Sequence, residues 1–146
     1  MPTNQEIVTR FIIEFLGRGD PAAADATASP AIRGTTFLKP SGPIVGLDEY
    51  KQIVRDFVAA FPAVAPLEIV DQFSSADGTR VVTRFRSRQV HDRDYFGVPA
   101  SWQVVLFDET HVATVRDGKL VENVVSATNP EFEMLMAPVL GPMILR

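Results

Sequence analysis

The hydrophobic period of this chain changes once, between Phe61 and Leu67, and that change restricts the fold more than any other feature. Before it, apolar residues recur every three or four positions, as on one face of a helix. After it they alternate, as on one face of a strand. Helices that come first and strands that follow give an α+β protein, not a parallel βαβ sheet. The chain's 146 residues suit one domain spanning residues 1–146.

The helical part opens with Thr3 and Glu6, a capping box in which each residue satisfies the other's backbone N–H. Ile7, Val8, Phe11, Ile12, Phe15 and Leu16 then predict a helix of about four turns, ended by Gly17 and Gly19. Asp20-Pro21 caps a short Ala-rich helix that Pro30 closes. Residues 30–46 read as loop, with a short extended piece at Thr35 to Leu38. Asp48 is placed to cap a third helix, whose stripe is Tyr50, Ile53, Val54, Phe57, Val58 and Phe61 and whose stop is Pro62.

Four strands follow: Leu67 to Phe73, Arg80 to His91, Trp102 to Arg116 and Lys119 to Thr128. Asp77-Gly78 and Asp117-Gly118 are hairpin turns between them. Asn129-Pro130 opens a short helix through Met136 that Pro138 ends, and the apolar tail from Val139 is free to pack on the sheet or on a second copy.

Strand parity assigns faces. Arg84, Arg86 and Arg88 share one face of the second strand, and three arginines belong in solvent. Phe85, Ser87, Gln89 and His91 therefore point inward, an increasingly polar row that a plain core does not need. In the third strand Phe107, Glu109 and His111 are assigned inward, and in the fourth Leu120, Glu122, Val124, Ser126 and Thr128. On this reading His91, His111, Glu109 and Glu122 converge as general acid–base candidates. Phe57, Phe85, Ser87, Gln89, Trp102, Phe107 and Val124 are the candidate substrate-binding residues.

Other chemistries lack their residues. The absence of Cys excludes disulfides, thiolate metal sites and thiol nucleophiles. Two His without metal-binding spacing give no metal site, and no Gly-rich phosphate loop calls for a nucleotide cofactor. The expected cofactor set is none. A net charge of −4 argues against nucleic acid. No run reaches the ~18 apolar residues of a membrane span, and the polar start is unlike a signal peptide, so a cytoplasmic protein is expected.

Four segments stand out as a set: Gly46 to Val54, Phe57 to Pro62 with its Ala-Phe-Pro end, His91 to Pro99, and Asp117 to Glu122. In this order they resemble the SnoaL-like polyketide cyclases of the nuclear-transport-factor-2-like (NTF2-like) superfamily. The resemblance implies an NTF2-like cone: N-terminal helices packed on a strongly curved antiparallel sheet, with a small-molecule pocket between. It also implies homodimers and cofactor-free lyase or isomerase chemistry, in which a histidine and a carboxylate move protons during ring closure. Its motif histidine falls on His91. The chain departs from the family at Thr35, where relatives carry His, at Arg93 in place of glycine, at His111 in place of Asp, and at Val124 and Thr128. The Asp-Arg-Asp set of the limonene-epoxide-hydrolase-like branch has no counterpart, since Val125 and Thr128 stand where its last carboxylate belongs. A cyclase-type enzyme acting on a small apolar ketone is the leading expectation. A non-catalytic pocket protein and a dimerising interaction module are the alternatives.

Overall fold

The computed structural model describes residues 1–145. Helix α1 (Asn4–Arg10) starts at the expected box, with Thr3 Oγ1 accepting from Glu6 N at 3.1 Å and Glu6 Oε2 from Thr3 N at 3.0 Å. It continues into a π-helical turn, Phe11–Leu16. There Gly17 N reaches back to Ile12 O at 2.9 Å, and a Cβ on Gly17 would meet Ile13 O at 2.6 Å. The wider turn is a device often found where a helix borders a functional site. Helix α2 (Pro21–Thr27) is capped by the Asp20 carboxylate and starts on Pro21. Helix α3 (Leu47–Ala60) buries Tyr50, Val54, Phe57 and Ala60; its cap position is Gly46, and Asp48 lies in the first turn, not at the cap.

The sheet has six strands in the order β2-β1-β6-β5-β4-β3, formed by β1 (Ala28–Thr35), β2 (Ile44–Val45), β3 (Glu68–Ser74), β4 (Arg80–Val90), β5 (Val104–Arg116) and β6 (Lys119–Ala127). Two of these come from the segment expected to be loop. β1 passes through Pro30, which has no N–H to give a ladder, and its register slips there, between Ala28 and Arg33. β1 is also parallel to β6, so one pairing of an otherwise antiparallel sheet departs from the expected pattern. Gly34 is fixed by close approach, because a Cβ there would lie 2.8 Å from Cε2 of Tyr50.

The β4–β5 ladder runs without a slip, pairing Thr83 with His111, Phe85 with Glu109 and Ser87 with Phe107. Its parity therefore holds over the full length, and Arg84 and Arg86 stand outside, both bonded to Asp108. The β5–β6 ladder does slip. Leu120 pairs with Val115 but Glu122 pairs with Thr114, leaving Val121 as an extra residue. This bulge shifts the alternation of the rest of β6 by one. Asn123, Val125 and Ala127 point inward instead of Glu122, Val124 and Ser126.

Two apolar clusters fill the interior. One joins α1, α2 and α3 to the sheet through residues such as Phe11, Phe15, Tyr50 and Phe85. The other is mainly aromatic, with Phe57, Phe61, Tyr95, Phe107 and Phe132. Helix α4 (Pro130–Ile144) contributes Phe132 and Met136 to it and runs on through Pro138 and Pro142, past the expected stop. Among the described residues, no helix is long and apolar enough to cross a membrane.

Candidate functional site

The two clusters do not close over one another completely. Between them lies a narrow cavity of ≈ 50 Å³, with Tyr50, Val54 and Phe57 of α3 on one side and Phe85, Ser87, Gln89, Glu109 and His111 of the sheet on the other. Leu16 and Gly17 of the π-turn and Phe37 of the β1–β2 connection close its ends. Apolar walls around a few convergent polar groups are the usual form of a small-molecule site.

The polar groups form one connected buried chain. Tyr50 Oη accepts from Asn123 Nδ2 at 3.0 Å, and the same amide nitrogen lies 3.0 Å from His111 Nδ1. His111 Nε2 is 2.9 Å from Glu109 Oε1, and Glu109 Oε2 accepts from Asn129 Nδ2 at 3.3 Å. With Asn123 donating to Nδ1, the Nε2–H is the ring's donor, directed at the carboxylate. His111 is 3% exposed and Glu109 8%. Asn129 is itself held, accepting from Asp108 N at 2.8 Å. Burial pushes the Tyr50 phenol up to about 12, against the opposing hydrogen bond from Asn123 and with help from the Glu109 charge. The phenol therefore stays protonated across the ordinary pH range, and its own proton is not used in the contact with Asn123. A separate pair completes the wall: Ser87 Oγ donates to Gln89 Oε1 at 3.0 Å, and Gln89 Nε2 to Phe61 O at 2.7 Å.

Of the residues expected from the sequence, the structure brings Phe57, Phe85, Ser87, Gln89, Glu109 and His111 around this cavity. The others lie elsewhere. His91 is buried at the end of β4 but does not line the cavity; it stacks on Phe61 with ring centroids 4.7 Å apart and planes inclined by 11°. Its Nδ1 accepts from Ser101 N at 3.2 Å, so its proton is on Nε2, which has no partner among the described residues. Phe107 is packed within the aromatic cluster. Trp102 precedes β5, at φ +60° and 70% exposed, because its N–H is turned to His91 O and its ring outward. The bulge at Val121 sends Glu122 and Val124 to the outer side. The buried polar chain instead includes Asn123, Asn129 and Tyr50, of which Tyr50 lines the cavity; the sequence marked none of the three as a site residue. Tyr50 was hidden in a helical stripe and Asn129 in a cap position. Asn123, a lone amide among valines in a strand, was the one visible signal.

A family model described as SnoaL-like polyketide cyclase matches residues 6–127. The chain belongs to the SnoaL-like polyketide cyclase family. Solved structures agree with this SnoaL-like fold. A protein from Jannaschia sp. CCS1, assigned as a SnoaL-like polyketide cyclase, superposes with a TM-score of 0.75 at 19% identity, covering 92% of this chain and 89% of that one. IdmH from Streptomyces antibioticus, assigned as a polyketide cyclase, gives 0.74 at 18% identity, with 93% and 99% covered. AclR from Streptomyces galilaeus, assigned as a hydroxylase, gives 0.73 at 17%, with 93% and 85% covered, so the SnoaL-like scaffold carries more than one assigned chemistry. Comparison with curated protein sequences gives no match.

Proposed function

We propose that this SnoaL-like protein catalyses proton abstraction next to the carbonyl of a small, mostly apolar ketone, the step that opens an aldol-type ring closure or an isomerisation, without a cofactor. The observation that supports this most directly is the Glu109–His111 pair, 2.9 Å apart on the floor of a mostly apolar cavity.

Each residue has a distinct task. Glu109 is the base. A carboxylate offers about four lone-pair directions, and the contacts to His111 and Asn129 use two, leaving capacity on the cavity side. His111 is a positioning residue: both ring nitrogens are engaged, so it acts by holding the carboxylate, not by touching the substrate. Negative charge that builds on the carbonyl oxygen during proton removal needs a donor. Two are at hand in the wall, the free proton of Tyr50 and the second N–H of Gln89 Nε2. The apolar walls limit water, which strengthens these contacts.

The experiment follows deuterium entering the α-position of butanone or cyclohexanone in D₂O by NMR. The protein is expected to accelerate exchange, and Glu109→Gln to remove about 10²–10⁴-fold of the acceleration, the usual span for a general base. Absence of exchange above buffer with any ketone that binds would overturn the proposal. It would favour the second reading, a non-catalytic ligand-binding protein. That reading rests on one observation, that every member of the buried polar chain already has a partner inside the protein.

A further inference from the structure

The inner cavity is too small for a whole ligand. Its ≈ 50 Å³ corresponds to roughly four water positions, enough for a carbonyl group and its immediate neighbours. A second cavity of ≈ 420 Å³ lies beside it, under α4, lined from Asn129 and Phe132 at the start of that helix to Leu140 and Ile144 near its end. The two share Phe37 and Val125 as walls. Asn129, whose amide holds Glu109, also lines the second cavity, so the base and this space are one side chain apart.

The second cavity exists because α4 lifts away from the body along its length. Phe132 and Met136 are fully buried one turn apart, Leu140 is half-buried, and Ile144 is 58% exposed. Pro138 and Pro142 cannot donate to the preceding turn, which loosens this half of the helix. Phe37 stands between the compartments, stacked 6.3 Å from Phe107 and set edge-on 5.3 Å from Phe132. No Lys or Arg lines either space among the described residues, whereas Glu133 lines the outer one and Glu109 the inner. An anionic ligand would find no cation there.

We propose that the space under α4 is the outer compartment of a two-part site, with Phe37 as the gate, and that it takes the uncharged aromatic or alicyclic body of a ligand whose carbonyl end reaches Glu109. The inner half of this assignment rests on the acid–base reading above; the outer half rests on the shared walls.

The test uses prodan, an uncharged naphthyl ketone with polarity-sensitive fluorescence, and anilinonaphthalene sulfonate, an anionic dye of similar ring size. Prodan is expected to bind one per chain with blue-shifted emission, and the sulfonate at least about tenfold more weakly. Leu140→Arg, which sets a charge in the outer space, and Ala127→Trp, which fills it, are each expected to weaken prodan about tenfold or more. On the unmodified protein, prodan is expected to shift amide NMR signals of α4 and of residues 36–40. Tighter sulfonate binding, or shifts confined to the outer face of the sheet, overturns the proposal. A change of oligomeric state in Leu140→Arg with prodan affinity unchanged also overturns it, by assigning the space to a second copy. Butanone has no body to fill the outer compartment, so its exchange reads the floor alone. Prodan binding that responds to both variants, with no ketone exchange, retains the compartment and rejects the base. Exchange without prodan binding does the reverse.

Discussion

The two histidines are both buried, yet they sit in opposite environments. His111 stands mid-strand in an unbroken ladder, with each ring nitrogen matched to a polar group and one edge on a cavity. His91 stands at a strand end, flat against Phe61, with one nitrogen unmatched. The difference lies in what the neighbouring strand supplies. β6 brings Asn123 to His111, whereas the loop ahead of β5 brings Ser101 to His91. An imidazole joined to a carboxylate can take part in proton chemistry; one stacked in an aromatic cluster acts as a flat core residue with a polar cost.

Three experiments would break or sharpen this contrast. The largest effect is expected on the exchange rate. His111→Leu should lower ketone exchange roughly 100-fold by releasing Glu109, and His111→Gln should recover most of it, since its amide N–H can replace that of Nε2. His91→Phe keeps the stack but removes both nitrogens, leaving Ser101 N without its acceptor, so exchange should change less than about threefold while stability falls by about 1–3 kcal/mol. A loss in His91→Phe as large as in His111→Leu would end the contrast.

The next effect is on stability. Asn123→Leu leaves His111 Nδ1 and Tyr50 Oη without their shared donor and should cost about 2–3 kcal/mol in urea unfolding. Gly34→Ala should cost about 1–3 kcal/mol, because the new methyl must push the Tyr50 ring aside. A stability change near zero in both would mean that the polar chain is not held as described.

The smallest effect belongs to the outer face, which serves as the reference for the inner one. Arg84 and Arg86 hold the Asp108 carboxyl down to about 2 from its ordinary 3.8. A lowered folded-state value stabilises the protein above pH 3.8, and the contribution is lost as pH falls from there toward 2. Asp108→Asn should therefore cost about 0.5–1 kcal/mol at neutral pH and flatten the stability profile in that acid window, leaving ketone exchange unaffected. An unchanged acid profile would show the pair to be without consequence.

Much of this was legible in the sequence where local rules act alone. The Thr3–Glu6 box, the hairpin turns at Asp77-Gly78 and Asp117-Gly118, and the parity of β4 and β5 depend on neighbours a few residues away. The inward placement of Phe85, Ser87, Gln89, Glu109 and His111 followed from that parity. What was hidden depends on distant partners. β1 holds a proline and a glycine, and its pairing with β2 on one side and β6 on the other makes it a strand. Tyr50 joins the buried polar chain because Asn123 meets it from a strand far along the chain. Helix α4 continues through two prolines where local preference alone would end it. Trp102 looks like a pocket residue by type but sits on a backbone turn that aims it outward.

The extra residue at Val121 works as a phase shifter. With strict alternation, the same amino acids would direct Glu122 and Val124 at the floor and turn Asn123 out, giving the interior a second acid and no amide beside the imidazole. Removing Val121 would straighten the strand without exchanging those directions, because Glu122 would still follow an inward Leu120. The chemistry of the floor is thus decided by where the count of residues restarts, and two chains of nearly identical composition could present interiors of opposite character.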